Sequence, residues 1–325
     1  MEFLEYDSCI LCPRNCYVNR NKGEKGFCKQ GSSLIIAWAG LHFGEEPPIT
    51  HKGGSGAIFI TGCNLACSFC QNYQISKESM GLCVTPETFS SICLKLKEKG
   101  AENINIVTGS HHTLPILRGL SIAKNKNLNV PIVWNTSSYE KVSEIQRLSS
   151  SVNIWLPDLK TLDSSFSTHI FKAPDYPDIA KNAIFKMVEL SPIKYDVSAK
   201  QKDYGTKLIS GVIVRHLAIP GKLKDTENII KWFSENLKNN ALLSIMTQYT
   251  PIIKNEEKNK VFIDRYITEG EDECLKELLY KYDIEEGFYQ ELIQDSSWLP
   301  DFEKTQPFSS NLSKPIWHWS KGFLV

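Results

Sequence analysis

The sequence predicts an α/β protein built on a partial (β/α)6 barrel, with a cysteine-rich module before it and an aromatic strap after it. Three observations predict this. From residue 56 onward, short apolar and β-branched runs alternate with amphipathic stretches of helical period. Cysteines gather near the N-terminus and again directly after the first of those runs. The residues after 283 are rich in Trp, Phe and Pro, a composition that suits an ordered strap packed on the barrel.

The strand candidates are 57–61, 103–108, 131–135, 152–156, 208–216 and 241–246. Helical stretches follow each of them, at 86–99, 114–124, 139–148, 178–190, 226–237 and 272–282. Repeated βα units with right-handed crossovers build a parallel sheet, and six of them suit an open barrel better than a closed eightfold one. In such a barrel reactive groups gather on the loops at the C-terminal ends of the strands. The expected division is a four-Cys module with a lead-in strand over 1–54, the barrel over 55–283 and the strap over 284–325.

With 325 residues, 42% of them apolar, the chain can bury a full core. Its formal charge is zero, so neither a nucleic-acid nor a membrane partner is expected. The Lys/Glu runs at 95–99 and 254–260 read as solvated helix faces and loops. No apolar run approaches the roughly 18 residues of a membrane span, and the acidic start MEFLEYDSC lacks the basic region of a signal peptide. A cytoplasmic protein is expected. Seven of the ten cysteines fall into two ligand-like clusters, which in a reducing compartment favours metal over disulfide. Cys83, Cys93 and Cys274 read as ordinary core or surface thiols.

Taken in order, the chain begins with Cys9, Cys12, Cys16 and Cys28, with Gly23 and Gly26 as turn residues between ligands. Four thiolates at these spacings suit either zinc or a second iron–sulfur cluster, and the spacing does not choose between them. So short a segment has too little core to fold alone, and a metal staple is physically sensible. A strand over 34–43 follows, then the turn GEEPPI. Glu45 and Glu46 read as a solvated loop, and they are assigned no role, nor are His42 and His51.

The organising stretch is GAIFITGCNLACSFCQN, residues 56–72. Its apolar run ends at Thr61, and Gly62 turns the chain into a loop carrying Cys63, Cys67 and Cys70. The spacing C-x3-C-x2-C supplies three ligands where a closed iron–sulfur cubane takes four, so one iron stays open. Zinc would want a fourth Cys or His at matching spacing, and none occurs before Cys83. An open iron can take the amino and carboxylate groups of S-adenosylmethionine (SAM) and deliver an electron to its sulfonium, releasing a 5′-deoxyadenosyl radical. This arrangement identifies radical SAM enzymes, which the stretch resembles closely. The resemblance extends to Phe69, whose counterpart in that family lies against the adenine.

Polar residues past the other strands would then surround SAM. The second strand ends in TGSHHT, where Thr108, Ser110, His111 and His112 suit the methionyl amino group or a substrate, or alternatively cap the next helix. Asn135 opens NTSS after the third strand, again a ligand contact or a cap. In LPDLK, Asp158 and Lys160 sit two apart and point the same way, and the lysine can pair with the SAM carboxylate or form a surface ion pair. Arg215 and His216 lie amid apolar residues in GVIVRHLAIPG, where a guanidinium needs an anionic partner such as the carboxylate of SAM or of a substrate, and His216 is a candidate substrate contact. In MTQYTP, Gln248 and Tyr249 are placed to orient a substrate, although Tyr249 equally suits the core. Trp298, Trp317 and Trp319 read as packing residues of the strap.

GCNLACSFCQN, DLK, the R-x-L-x-I-P-G run and QYTP together resemble the activating enzymes of glycyl radical enzymes, the pyruvate formate-lyase activating enzyme-like group, over nearly the full length. The resemblance implies a radical SAM barrel with a [4Fe-4S] cluster on Cys63, Cys67 and Cys70. It puts Phe69, Asn72, Asp158, Lys160 and Arg215 at the SAM site. It also implies a glycyl radical enzyme as protein substrate, a low-potential donor such as flavodoxin or ferredoxin, and anaerobic chemistry. The chain departs from that group in carrying His111, His112 and Thr113 where a Gly-Gly-Glu set is usual. It also has Asn135 in place of an Asp that helps hold a monovalent cation. A second reading has the same radical act on a small molecule or on another protein or RNA residue; a third is a non-enzymatic iron–sulfur carrier or redox sensor.

Overall fold

A computed structural model describes residues 2–201, 205–252 and 263–324; the run at 254–260 lies outside them. In chain order β1 (Leu34–His42) and the single turn α1 (Pro47–Thr50) lead into β2 (Ser55–Ile60), the turn α2 (Tyr73–Ser76), β3 (Leu82–Val84) and α3 (Pro86–Glu98). Next come β4 (Ile104–Val107), α4 (Thr113–Asn125), β5 (Ile132–Thr136), α5 (Val142–Leu148), β6 (Ile154–Pro157), α6 (Ser164–Phe171) and α7 (Tyr176–Leu190). The remainder is β7 (Lys194–Gln201), β8 (Gly205–Leu217), α8 (Leu223–Asn236), β9 (Leu242–Met246), α9 (Glu269–Lys281), β10 (Gly287–Tyr289), β11 (Ser313–His318) and β12 (Gly322–Phe323).

The main path of the sheet runs β10-β9-β8-β6-β5-β4-β2-β1-β11-β12. From β2 to β10 every neighbour is parallel, so all six expected strands stand side by side. A seventh parallel strand, β10, comes from GFY in the segment that the sequence assigns to the strap. On the opposite edge β1 pairs antiparallel with β2 and β11 pairs antiparallel with β1, so the rest of that segment extends the sheet. The β7–β8 hairpin, β3 and α6 are further elements that the sequence did not predict.

The central strands β4, β5 and β6 are buried along their whole length, which is why they read as unbroken apolar runs. Outside them α3 turns Phe89, Ile92, Cys93 and Leu96 inward at helical spacing, and Thr85 caps it by accepting from the Thr88 amide at 3.2 Å. Inside, Ile49 from α1 clusters with Val133, Ile154 and Leu242, at or near the beginnings of their strands, and with Ile213, just after β8 begins its parallel pairing. The barrel is therefore plugged at its N-terminal end and left free at its C-terminal end.

The N-terminal module is pinned to the barrel by two arginines. Arg14 donates to the carbonyls of Asn64 (2.8 Å) and Phe171 (2.7 Å), and Arg20 donates to that of His111 (2.6 Å). At the other end the strap inserts Phe302 and Phe308 against Phe59, and Phe308 also meets Trp38.

Gly62 starts the cysteine loop at φ +93°, and a Cβ there would lie 2.5 Å from Gln30 Cγ and 2.8 Å from His111 Nε2. Gly100 has the same φ of +93° with nothing within 4 Å. Gly100→Ala should therefore cost only the conformational penalty of about 1–2 kcal/mol. Gly62→Ala should cost clearly more, read as a larger drop in urea midpoint at unchanged m-value.

Candidate active site

A cavity of about 580 Å3 opens at the C-terminal ends of the parallel strands, and Cys63, Cys67 and Cys70 all line it. Their loop is held from several sides. The Gly62 amide donates to the Ile75 carbonyl (3.0 Å), Asn64 Nδ2 to the Tyr139 carbonyl (2.7 Å), and Leu65 between them is fully buried. Burial, reinforced by the neighbouring Cys70, pushes the Cys63 thiol up; burial likewise raises Cys67, against the pull of Lys160. Such thiols become thiolates when a metal takes them. Among the described residues no group of three or more His, Cys, Asp or Glu is arranged to hold one metal ion as it stands. In a cubane each thiolate binds its own iron. Three thiols facing one roomy cavity from a pinned loop therefore fit a cluster.

The same cavity is walled by a part-buried charge network centred on Arg215 of β8. Its Nε donates to Asp158 Oδ1 (3.0 Å), Nη1 to Glu45 Oε2 (2.9 Å) and Nη2 to Asn135 Oδ1 (2.7 Å). Lys160 Nζ donates to the other Asp158 oxygen at 2.8 Å. Burial alone would raise the Asp158 carboxyl, but Lys160 and Arg215 outweigh it and hold it below the usual range. The same pairing raises Lys160 and Arg215 against their own burial, so both stay charged. Glu46 is pushed up by burial despite Arg215, whereas His42 is pulled down to about 4 by burial and then by Arg215.

Of the residues singled out from sequence, Phe69, Asn72, Thr108, Asn135, Asp158, Lys160, Arg215 and Gln248 line this cavity. Others are turned away from it. Ser110 donates to the buried Glu140 carboxylate at 2.9 Å behind β5. His111 binds the Thr61 carbonyl through Nε2 (2.7 Å), and His112 Nδ1 meets Arg20 (3.2 Å), so both face the N-terminal module. His216 follows Arg215 on a strand and so points to the opposite face, where it meets the Leu159 carbonyl (2.8 Å) and Thr226 Oγ1 (2.9 Å). Tyr249 packs behind Phe69 and donates to the Ile263 carbonyl (2.9 Å), as a core residue would.

The cavity also takes residues that the sequence placed elsewhere. His42, Glu45 and Glu46 line it, although GEEPPI reads as a solvated turn. The register of β1 on β2 pairs His42 with Ser55, so the turn folds under the barrel and sends its carboxylates up into it. The sequence signal for this was the lone arginine in the fifth strand, whose anionic partner had to come from somewhere. Trp298 and Phe308 of the strap wall the cavity as well.

Removing the cation should be costly. Arg215→Met strands two buried carboxylates, so a loss of about 3–5 kcal/mol is expected in chemical unfolding, with Arg215→Lys recovering part of it. The pH dependence follows from His42, which takes its proton at about 4 in the folded chain against 6.5 in the unfolded one. Between those values the unfolded chain binds more protons, so stability falls as pH falls, by up to roughly 3 kcal/mol. His42→Gln should flatten that fall in unfolding curves measured across the same window.

Residues 50–166 match a family model described as a 4Fe-4S single cluster domain, an interval that holds all three loop cysteines. Protein MJ0674 of Methanocaldococcus jannaschii, described as uncharacterized, is 32% identical over 290 residues, 86% of this chain and 76% of that one. Protein MJ0808 of the same organism is 22% identical over 213 residues, covering 50% of this chain and 62% of that one. Among solved structures, Streptococcus suis SuiB bound to S-adenosylmethionine aligns with TM-score 0.48 at 15% identity over 70% of this chain and 48% of that one. SuiB bound to its precursor peptide SuiA aligns with TM-score 0.48 at 14% identity over 70% and 46%. The chain thus spans about half the length of those structures. It belongs to the family of MJ0674, and its three-cysteine loop lies within the stretch that matches a 4Fe-4S single cluster domain, at the mouth of a parallel partial barrel.

Proposed function

We propose that this protein is a radical SAM enzyme that abstracts hydrogen from a protein substrate, in the manner of the activating enzymes of glycyl radical enzymes. The observation that carries the SAM chemistry is the placement of three thiols and the Asp158–Lys160–Arg215 network on the walls of one cavity. Its volume of about 580 Å3 is that of a small-molecule site.

Cys63, Cys67 and Cys70 would hold a [4Fe-4S] cluster, and Phe69, Asn135, Asp158 and Lys160 would border SAM. Cluster and SAM, once bound, supply one-electron cleavage of the sulfonium to a 5′-deoxyadenosyl radical. The chain's own contribution is positioning. Asp158 fixes the Lys160 ammonium at the cavity wall through one of its three donors, which leaves the others for a ligand carboxylate. Arg215 gives three of its five donors to Asp158, Glu45 and Asn135, so its first part is to hold Asp158, while it borders the cavity as well. The low folded pKa keeps Asp158 ionised in this role. Aromatic and aliphatic groups, Phe59, Val107 and Phe308 among them, would limit water at the reacting atoms.

The protein-substrate reading rests on the resemblance of GCNLACSFCQN, DLK and R-x-L-x-I-P-G to the activating enzymes. One observation favours a small molecule instead: Trp298, Pro300, Phe308 and Leu312 of the C-terminal segment wall the same cavity.

The test is 5′-deoxyadenosine formation by anaerobically reconstituted protein given SAM and a low-potential reductant. The native chain should form it, and the Cys63→Ala, Cys67→Ala, Cys70→Ala variant should not. Lys160→Met should raise the SAM concentration needed for half-maximal cleavage about 10-fold or more, since a charge-assisted hydrogen bond contributes about 1.5–3 kcal/mol. A glycine-bearing peptide from a glycyl radical enzyme that speeds cleavage and acquires a glycyl radical signal would support the protein substrate. Stimulation by small molecules alone would favour the second reading.

A further inference from the structure

The N-terminal cysteines carry chemistry that SAM cleavage does not use. Cys9, Cys12, Cys16 and Cys28 line a single cavity together with Arg20 and His111. Among the described residues no three of these sulfurs converge on a point from which one metal ion could be held as they stand, as the zinc–thiolate distance of about 2.3 Å would require. A cubane, whose irons each take one thiolate, spreads the same four sulfurs around a larger centre.

One buried side chain indicates the charge of what the cavity takes. Arg20 is 1% exposed, and among the described residues it has no carboxylate partner. Its contacts are the carbonyls of Gly31 (2.9 Å) and His111 (2.6 Å), His112 Nδ1 (3.2 Å), Cys9 Sγ (3.8 Å) and the face of Tyr6 (4.0 Å). A guanidinium buried among neutral groups is costly, and so the charge must come from the cysteines. Thiols and disulfides are neutral, whereas a metal centre held by four thiolates is an anion, and the spread of the sulfurs then favours a cluster over a single ion. His111, 2% exposed, forms another wall of the cavity, and its Nε2–H donates to the Thr61 carbonyl at 2.7 Å.

We propose that Cys9, Cys12, Cys16 and Cys28 bind a second [4Fe-4S] cluster, charge-paired with Arg20 and separated from the SAM-cleaving loop by His111. The imidazole touches the cavity on one side and the backbone just before Cys63 on the other. The inference stands apart from SAM cleavage, because it concerns what metal the module holds.

The full chain, purified and reconstituted anaerobically with ferrous iron and sulfide, should carry about 8 iron atoms and as many labile sulfides. The Cys63→Ala, Cys67→Ala, Cys70→Ala variant should keep half of them and still show a reducible [4Fe-4S] spectrum by electron paramagnetic resonance. Cys12→Ala with Cys28→Ala should lose the other half. Because that double variant alters a folding staple, the decisive arm leaves all seven ligands in place. Arg20→Gln should lower the midpoint potential of one of two cluster signals, since a lost cation disfavours the added electron, and Arg20→Lys should restore it. One zinc per chain in the triple variant, disulfides by thiol count, or no metal at all would each overturn the proposal.

Discussion

The architecture of the site depends on one ion network, in which Arg215 meets Asp158, Glu45 and Asn135. The β6–β8 ladder is short, with Ile154 opposite Gly211 and Trp155 opposite Val212, and only the isolated bridge of Asp158 to Arg215 continues it. Backbone pairing alone would leave this seam weak where the cavity begins. The guanidinium closes it with side-chain contacts to the ends of two strands and to a loop that enters from below. A buried cation meeting two carboxylates also explains why Asp158 stays ionised despite its burial. Such a network is retained less for stability than for geometry, because an apolar trio of equal volume would pack as well. Here the geometry it fixes is the position of Lys160.

The six parallel strands were legible because strands buried on both faces leave apolar runs that little else produces. The three-cysteine loop was legible because a ligand spacing is local. β10 was not: GFY is short, half exposed and stabilised by pairing with β9, a partner distant in sequence. β7 is exposed through much of its described length and takes its order from the hairpin with β8. Glu45 and Glu46 escaped notice for a different reason. Acidic residues before Pro-Pro read as solvent-facing unless the fold brings a cation to them, and that cation sits 170 residues away on β8.

The β4–α4 loop shows where local reading reaches its limit. Thr108, at φ +62°, faces the large cavity, whereas three residues on the chain has turned, and His111 and His112 face the other way. Proximity to a strand end predicted a common destination for all of them. The turn separates them into two compartments, and burial then fixes each side. His111 is pulled down to about 4 by burial, which the Thr61 carbonyl only partly offsets, and a neutral ring suits its place between backbone groups.

That loop also explains why the N-terminal module needs the barrel. The module's own apolar cluster is small, Tyr6, Cys9 and Leu11, and it is completed by Leu114 from α4. Its two arginines spend their donors largely on barrel carbonyls: Arg14 on Asn64 in the cysteine loop and Phe171 at the end of α6, Arg20 on His111. Each of these contacts bears on a segment that shapes the cavity. Folding of the module and ordering of the Cys63 loop are therefore coupled through shared hydrogen bonds, and what occupies the four cysteines bears mechanically on the three. The strap acts on the far side in the same sense, since Gln74 just beyond the loop donates to Asp301 at 3.0 Å and accepts from the Phe302 amide at 2.8 Å. A loop that must present three thiols at fixed separation has no regular secondary structure of its own to hold it, and the two ends of the chain supply that rigidity.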